Sequence, residues 1–149
     1  MANGRIFLVG LITLLSLSIS SQLFSQGDVI KERRALMKAN SKAFKAIKKA
    51  IKAKDFATIE AKAGVIAANM EKLPNLFPKG STSEKSRAKA AIWEKWGRFT
   101  RVAKSNYEVA EMLAESAKAK DGDKVAILVK GISCKGCHKP FRAKKKKKK

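Results

Sequence analysis

Three stretches of this 149-residue chain return apolar residues at alternating steps of three and four. In the first, Ile30, Met37, Phe44 and Ile51 recur every seven positions, and Leu36, Ala43, Ile47 and Ala50 widen the stripe. Phe56, Ile59, Ala63, Ile66, Met70 and Leu73 form the second. Ile92, Trp96, Phe99, Ala103, Asn106, Ala110, Leu113 and Ala117 form the third, with Trp93 on a neighbouring row. Such steps place each set on one face of an α-helix. A seam of this kind packs against neighbours lying nearly parallel or antiparallel to it. Long β-branched alternations are absent, and alanine and lysine dominate, which favours helix. The expected fold is all-α, an antiparallel four-helix bundle.

The punctuation places the elements. Asp28 caps a first helix running to Lys52, and Asp55 caps a second running to Leu73, where Pro74 ends it. Residues 74–87 hold two prolines, a glycine and a Ser-Thr-Ser cluster, so they read as a long connection with Leu76 and Phe77 tucked inward. A third helix spans residues 88–119. Asp121-Gly122-Asp123 is a tight connection into a fourth helix carrying Val125, Leu128, Ile132, Cys134, His138 and Phe141. On that helix Ile127, Gly131, Cys134 and His138 share a face. Gly131 costs about 1 kcal/mol against alanine in a helix interior, which a flat group close to the backbone or a helix contact would explain. Pro140 predicts a kink just after His138.

Cys134-Lys135-Gly136-Cys137-His138 holds the only two cysteines and the only histidine of the chain. Cys-x-x-Cys-His is the attachment pattern for c-type haem. Two thiols add across the two vinyl groups, and the adjacent imidazole meets the iron. On a helix, positions three and four apart project to one side, so one flat macrocycle can meet all three. A structural zinc site needs four protein ligands where three are present. A thioredoxin-like Cys-x-x-Cys wants a βαβ context that the chain lacks. A disulfide would leave His138 and the apolar faces around it unexplained. The expected cofactor is one covalent haem c near the C-terminal end of the bundle.

The opening has the three parts of a secretory signal: Arg5, the apolar run Ile6–Leu15, then Ser- and Gln-rich sequence to Gln26. The run falls short of the roughly 20 residues that span a bilayer, so a protein that does not span the membrane is expected. The organisation is a signal at 1–26 with an uncertain cut site, one helical domain at 27–143 and a lysine tail at 144–149 expected to be disordered. Export to the periplasm suits c-type haem. The formal net charge is +22, and the domain stays basic without the tail.

Four amphipathic helices with this motif near the C-terminus resemble the class II c-type cytochromes, the family of cytochrome c′ and its low-spin cytochrome c-556-type relatives. The resemblance spans about residues 28–142. It rests on Cys134, Cys137 and His138, on Val29–Lys38 as the opening helix, and on Leu73-Pro74, Leu76-Phe77-Pro78 and Ile92-Trp93. It implies Arg33 near the haem propionates and Arg142 beside the proximal face. Met37 falls where cytochrome c′ has an apolar distal residue and the c-556 type a methionine ligand. A thioether is a known sixth ligand, while methionine on a core seam is also ordinary packing; Met70 is a less suitable substitute, and Met112 lies off its seam.

The function this implies is a periplasmic mono-haem cytochrome for electron transfer, not an enzyme, low-spin with His138 and Met37 on the iron and an acidic redox partner protein. The alternative is a five-coordinate cytochrome c′ binding nitric oxide or carbon monoxide, with Met37 as packing only. The charge also invites nucleic-acid binding; export and the haem motif argue against it, so no specific nucleic-acid partner is expected. The family often forms a homodimer through helices one and two, though no patch in the sequence shows one.

Overall fold

The computed structural model describes residues 26–84 and 86–144. The signal at 1–26, apart from Gln26, and the lysine tail, apart from Lys144, lie outside the described residues. The chain is an all-α four-helix bundle. Its helices are α1 (Gln26–Ala53), α2 (Phe56–Lys72), α3 (Ala91–Glu94), α4 (Trp96–Lys118), α5 (Gly122–Gly131) and α6 (Cys134–Phe141), with a 3-10 turn at Leu73–Leu76 after α2. No helix among the described residues is long and apolar enough to cross a membrane. Asp28 lies in the first turn of α1, inside the helix it was expected to cap.

One four-residue string closes two hairpins. Lys52-Ala53-Lys54-Asp55 and Lys118-Ala119-Lys120-Asp121 are identical in sequence. In each, the third residue turns left-handed, with φ +54° at Lys54 and +55° at Lys120. The next backbone N–H reaches back to the helix it leaves: Asp55 N donates to Ala50 O at 3.0 Å, and Asp121 N to Ser116 O at 2.9 Å. The same aspartate then caps the helix that follows. Asp55 accepts from Thr58 N and Asp121 from Lys124 N, both at 3.0 Å. A cap of this kind contributes about 1 kcal/mol, and here it also sets the reversal of direction.

The seams bury as their spacing requires. Ile47, Ile59, Leu73, Leu113 and Val125 are fully enclosed, and the expected inward turn of Leu76 and Phe77 is present. α2 packs most extensively against α4, with α1 on one side of that pair and α5 on the other. α1 and the α5–α6 arm have no backbone packing of that order. Between them lies an open space lined by residues of α1 and α6.

Two expected helices are broken. The third is a single turn, α3, followed by a bend at Lys95 (φ −121°, ψ 44°) and then α4. The bend changes the phase of the seam. Trp96, placed inward by its spacing, is 39% exposed. Trp93 takes the inner role, and its Nε1 donates to Phe77 O and Pro78 O, both at 3.0 Å. The fourth helix breaks at Ile132 (φ −67°, ψ 102°), before the cysteine motif and not after it at Pro140. The face expected to join Ile127 to His138 is therefore interrupted, and Ile127 is 69% exposed. Gly131 has a packing explanation: a Cβ there would meet Val109 Cγ1 at 3.1 Å.

Candidate haem site

The cysteine motif forms its own short helix, held at both ends. Ser133 caps α6, its Oγ accepting from Gly136 N at 3.1 Å. Ser133 N in turn donates to Asn106 Oδ1 at 2.8 Å, and Asn106 Nδ2 donates to Val102 O at 2.8 Å. Asn106 is a buried amide on the otherwise apolar α4 seam, 6% exposed. A buried polar group needs its partners, and these partners tie α6 to α4. At the far end Lys89 N donates to Phe141 O at 3.0 Å, Arg142 N to His138 O at 3.1 Å and Ala143 N to Arg87 O at 2.8 Å. Residues 87–89 thus brace the C-terminal end of α6.

Between this helix and α1 lies a cavity of ≈ 880 Å³, within the roughly 300–1,000 Å³ usual for small-molecule and cofactor sites. Cys134, Cys137 and His138 line it from α6, and Met37, Asn40 and Phe44 from α1. Met70 of α2 and the ring cluster of Phe77, Phe99 and Phe141 complete the apolar wall. Phe99 meets Phe77 at 4.9 Å and Phe141 at 5.4 Å, both edge-on. Arg34, Lys45, Lys48, Arg87 and Arg142 also border the cavity and give it a cationic margin.

The chemistry of the donor set fits a covalent haem. Cys134 is exposed and Cys137 half-buried, and both are free thiols, so no disulfide competes. Burial, helped by Cys134, pushes the Cys137 thiol up to about 11. Burial also lowers the His138 pKa, with the positive charges of Arg142 and Arg87 adding to it. A neutral imidazole is the form that ligates a metal.

The remaining expected residues divide. Met37 is half-buried and packs against the core while bordering the cavity. Met70 borders it too, and Met112 is 44% exposed. Arg142 stands at the end of α6, near His138. Arg33 lines the cavity wall, but its guanidinium is engaged elsewhere. Nε donates to Leu76 O, one terminal nitrogen to Ser81 O at 2.9 Å and the other to Ser81 Oγ. The same group lies 4.1 Å from the Phe77 ring centre. Arg33 clasps the 74–81 connection. Sequence reasoning missed Asn106, Ser133, Arg87 and Asn40 as parts of the site. Only Asn106 carried a usable signal, as a polar residue on an apolar seam.

The sequence profile of the family described as Cytochrome C′ matches residues 28–142. The chain is a member of the cytochrome c′ family. It is 34% identical over 147 residues to cytochrome c′ of Rhodospirillum rubrum, covering 93% of this chain and 98% of the relative. The fold is similar to cytochrome c′ from Shewanella frigidimarina, with TM-score 0.74 and 26% identity over 80% of this chain and 98% of the other. It is also similar to a variant of cytochrome c′ from Alcaligenes xylosoxidans in its nitric oxide complex, with TM-score 0.73 and 24% identity over 81% and 98%. As a member of the cytochrome c′ family, the chain carries one covalently attached haem c.

Membership corrects the expected function. An electron carrier with both His138 and Met37 on the iron belongs to the low-spin branch, whereas the family profile and the curated relatives are cytochromes c′. The physical reason lies in the seam. Met37 occupies a heptad position of α1 and packs against the core, and an unbranched thioether fills such a place without needing a metal.

Proposed function

We propose that the chain is a periplasmic cytochrome c′ that binds nitric oxide or carbon monoxide at a five-coordinate haem. The observation that carries this reading is the match of residues 28–142 to cytochrome c′. The cavity geometry supports it. Cys134 and Cys137 would hold the haem through thioethers, and His138, kept neutral by its surroundings, would coordinate its iron. When bound, the haem would supply an iron able to take up a diatomic gas. Met37 and Phe44 form an apolar wall on the α1 side that excludes water, and Arg87 and Arg142 offset negative charge at the margin. A variant of the Alcaligenes xylosoxidans protein, which has the same fold, forms a nitric oxide complex, and this is in keeping with the reading. The α6 frame built from Asn106, Ser133 and residues 87–89 holds His138 in place.

The test is the ferrous visible spectrum of protein matured in a periplasm, with and without carbon monoxide. A high-spin spectrum that changes on adding carbon monoxide is expected. A low-spin spectrum indifferent to the gas would overturn the reading. Replacing Cys134 and Cys137 together with alanine should leave no haem on the chain in a denaturing gel.

A further inference from the structure

Asn40 lies one helical turn after Met37 on α1 and borders the same cavity. Its Oδ1 accepts a 2.7 Å hydrogen bond from Asn69 Nδ2 on α2. That bond occupies the carbonyl and holds the amide plane. An asparagine amide has two N–H donors besides its carbonyl, and no described group accepts from Asn40 Nδ2. No buried side-chain nitrogen or oxygen among the described residues lacks a partner. The amino group therefore keeps open space beside it, and Asn40 is among the residues that line the cavity. The lining brings Met37, Phe44, Ile66 and Met70 together with the polar Ser41, Lys45 and Lys48. A haem filling the cavity would take that amino group from water, where a polar group without a partner is costly, so the donor is suited to meet an acceptor inside the cavity.

We propose that Asn40 is the polar contact for the diatomic ligand, its Nδ2–H donating to the electron-rich terminal atom, with Asn69 as the residue that positions it. This rests on the ligand-binding function proposed above. Met37 and Phe44 then limit the ligand's size, while Asn40 favours ligands whose outer atom accepts a hydrogen bond. α1 supplies both properties because residues 37, 40 and 44 share one helical face.

The carbon monoxide complex of the haem-loaded ferrous protein reads this directly. A donor at the outer oxygen draws electron density from iron into the ligand and lowers the C–O stretching frequency. In the infrared spectrum, Asn40→Leu should raise that frequency. It should also speed carbon monoxide dissociation by roughly two- to tenfold, the worth of one net hydrogen bond. Asn69→Ala keeps the donor but frees its carbonyl, so the stretch should broaden and move part of the way toward the Asn40→Leu position. Asn40→Ala gives the same reading if the leucine variant does not fold. An unmoved stretch and unchanged dissociation in a protein that binds carbon monoxide would overturn the role of Asn40 alone. A ferrous protein that takes up no carbon monoxide would overturn both this role and the proposed function.

Discussion

Asn106→Ala tests whether a single buried amide fixes the haem-bearing helix. The mutation removes the acceptor of Ser133 N, at present 2.8 Å away. A buried donor left without a partner costs about 1–3 kcal/mol. Ser133 is exposed, so water recovers part of this and the lower half of the range applies. The second bond, to Val102 O, adds little because that carbonyl sits within a helix with its own backbone partner. Alanine returns up to about 0.7 kcal/mol of helix propensity. The net loss is about 1 kcal/mol. With a urea slope of roughly 2 kcal/mol per molar, the unfolding midpoint of the haem-loaded protein should fall by about 0.5 M. The loss should be concentrated at α6, so amide exchange at Ser133 and Gly136 should quicken about fivefold while the α2–α4 core is unchanged. An unchanged midpoint with unchanged exchange at Ser133 would refute the anchoring argument. Faster exchange spread evenly through α2 and α4 would refute its local character.

Other expectations follow from the same contacts. Arg33→Met should lower stability by about 2–3 kcal/mol in thermal or urea unfolding, because it strips hydrogen bonds from Leu76 O, Ser81 O and Ser81 Oγ; Arg33→Lys should recover less than half, since an ammonium cannot reproduce the fork. Gly131→Ala should cost about 1–3 kcal/mol through crowding against Val109 Cγ1 at 3.1 Å and return about 1 kcal/mol of helix propensity, a net loss of up to about 2 kcal/mol, and Val109→Ala in the same chain should relieve most of the strain. Met37→Leu should leave the ferrous spectrum as it is, while Met37→Ala, which enlarges the α1 side of the cavity, should speed carbon monoxide binding; a change of spin state in either variant would show that the sulfur does more than pack.

Much of this protein is written locally. The seams of α1, α2 and α4 are legible because a helix imposes its period on neighbouring positions, and burial follows the stripe. The spacing of Cys134, Cys137 and His138 is local too, since attachment chemistry demands it wherever the segment lies in the fold. The reversals at Lys54 and Lys120 are likewise encoded by four adjacent residues. What the spacing could not show was where a helix breaks without a proline. Lys95 bends the chain and hands the inner position from Trp96 to Trp93, which bonds to carbonyls 16 and 15 residues back.

The site depended on distance along the chain. Arg33 spends its donors on groups 43 and 48 residues away, and Asn106 meets Ser133 across 27 residues. The motif itself named the cofactor. Met37 shows the limit, because one residue on one heptad position suits either an iron ligand or a packing methionine. Helical periodicity and attachment spacing are properties of neighbouring residues, so the sequence by itself determined the bundle and its haem. The break before the motif, the clasp of Arg33 and the amide of Asn40 beside the cavity were decided only by the tertiary structure, because each depends on a partner supplied by another helix or loop.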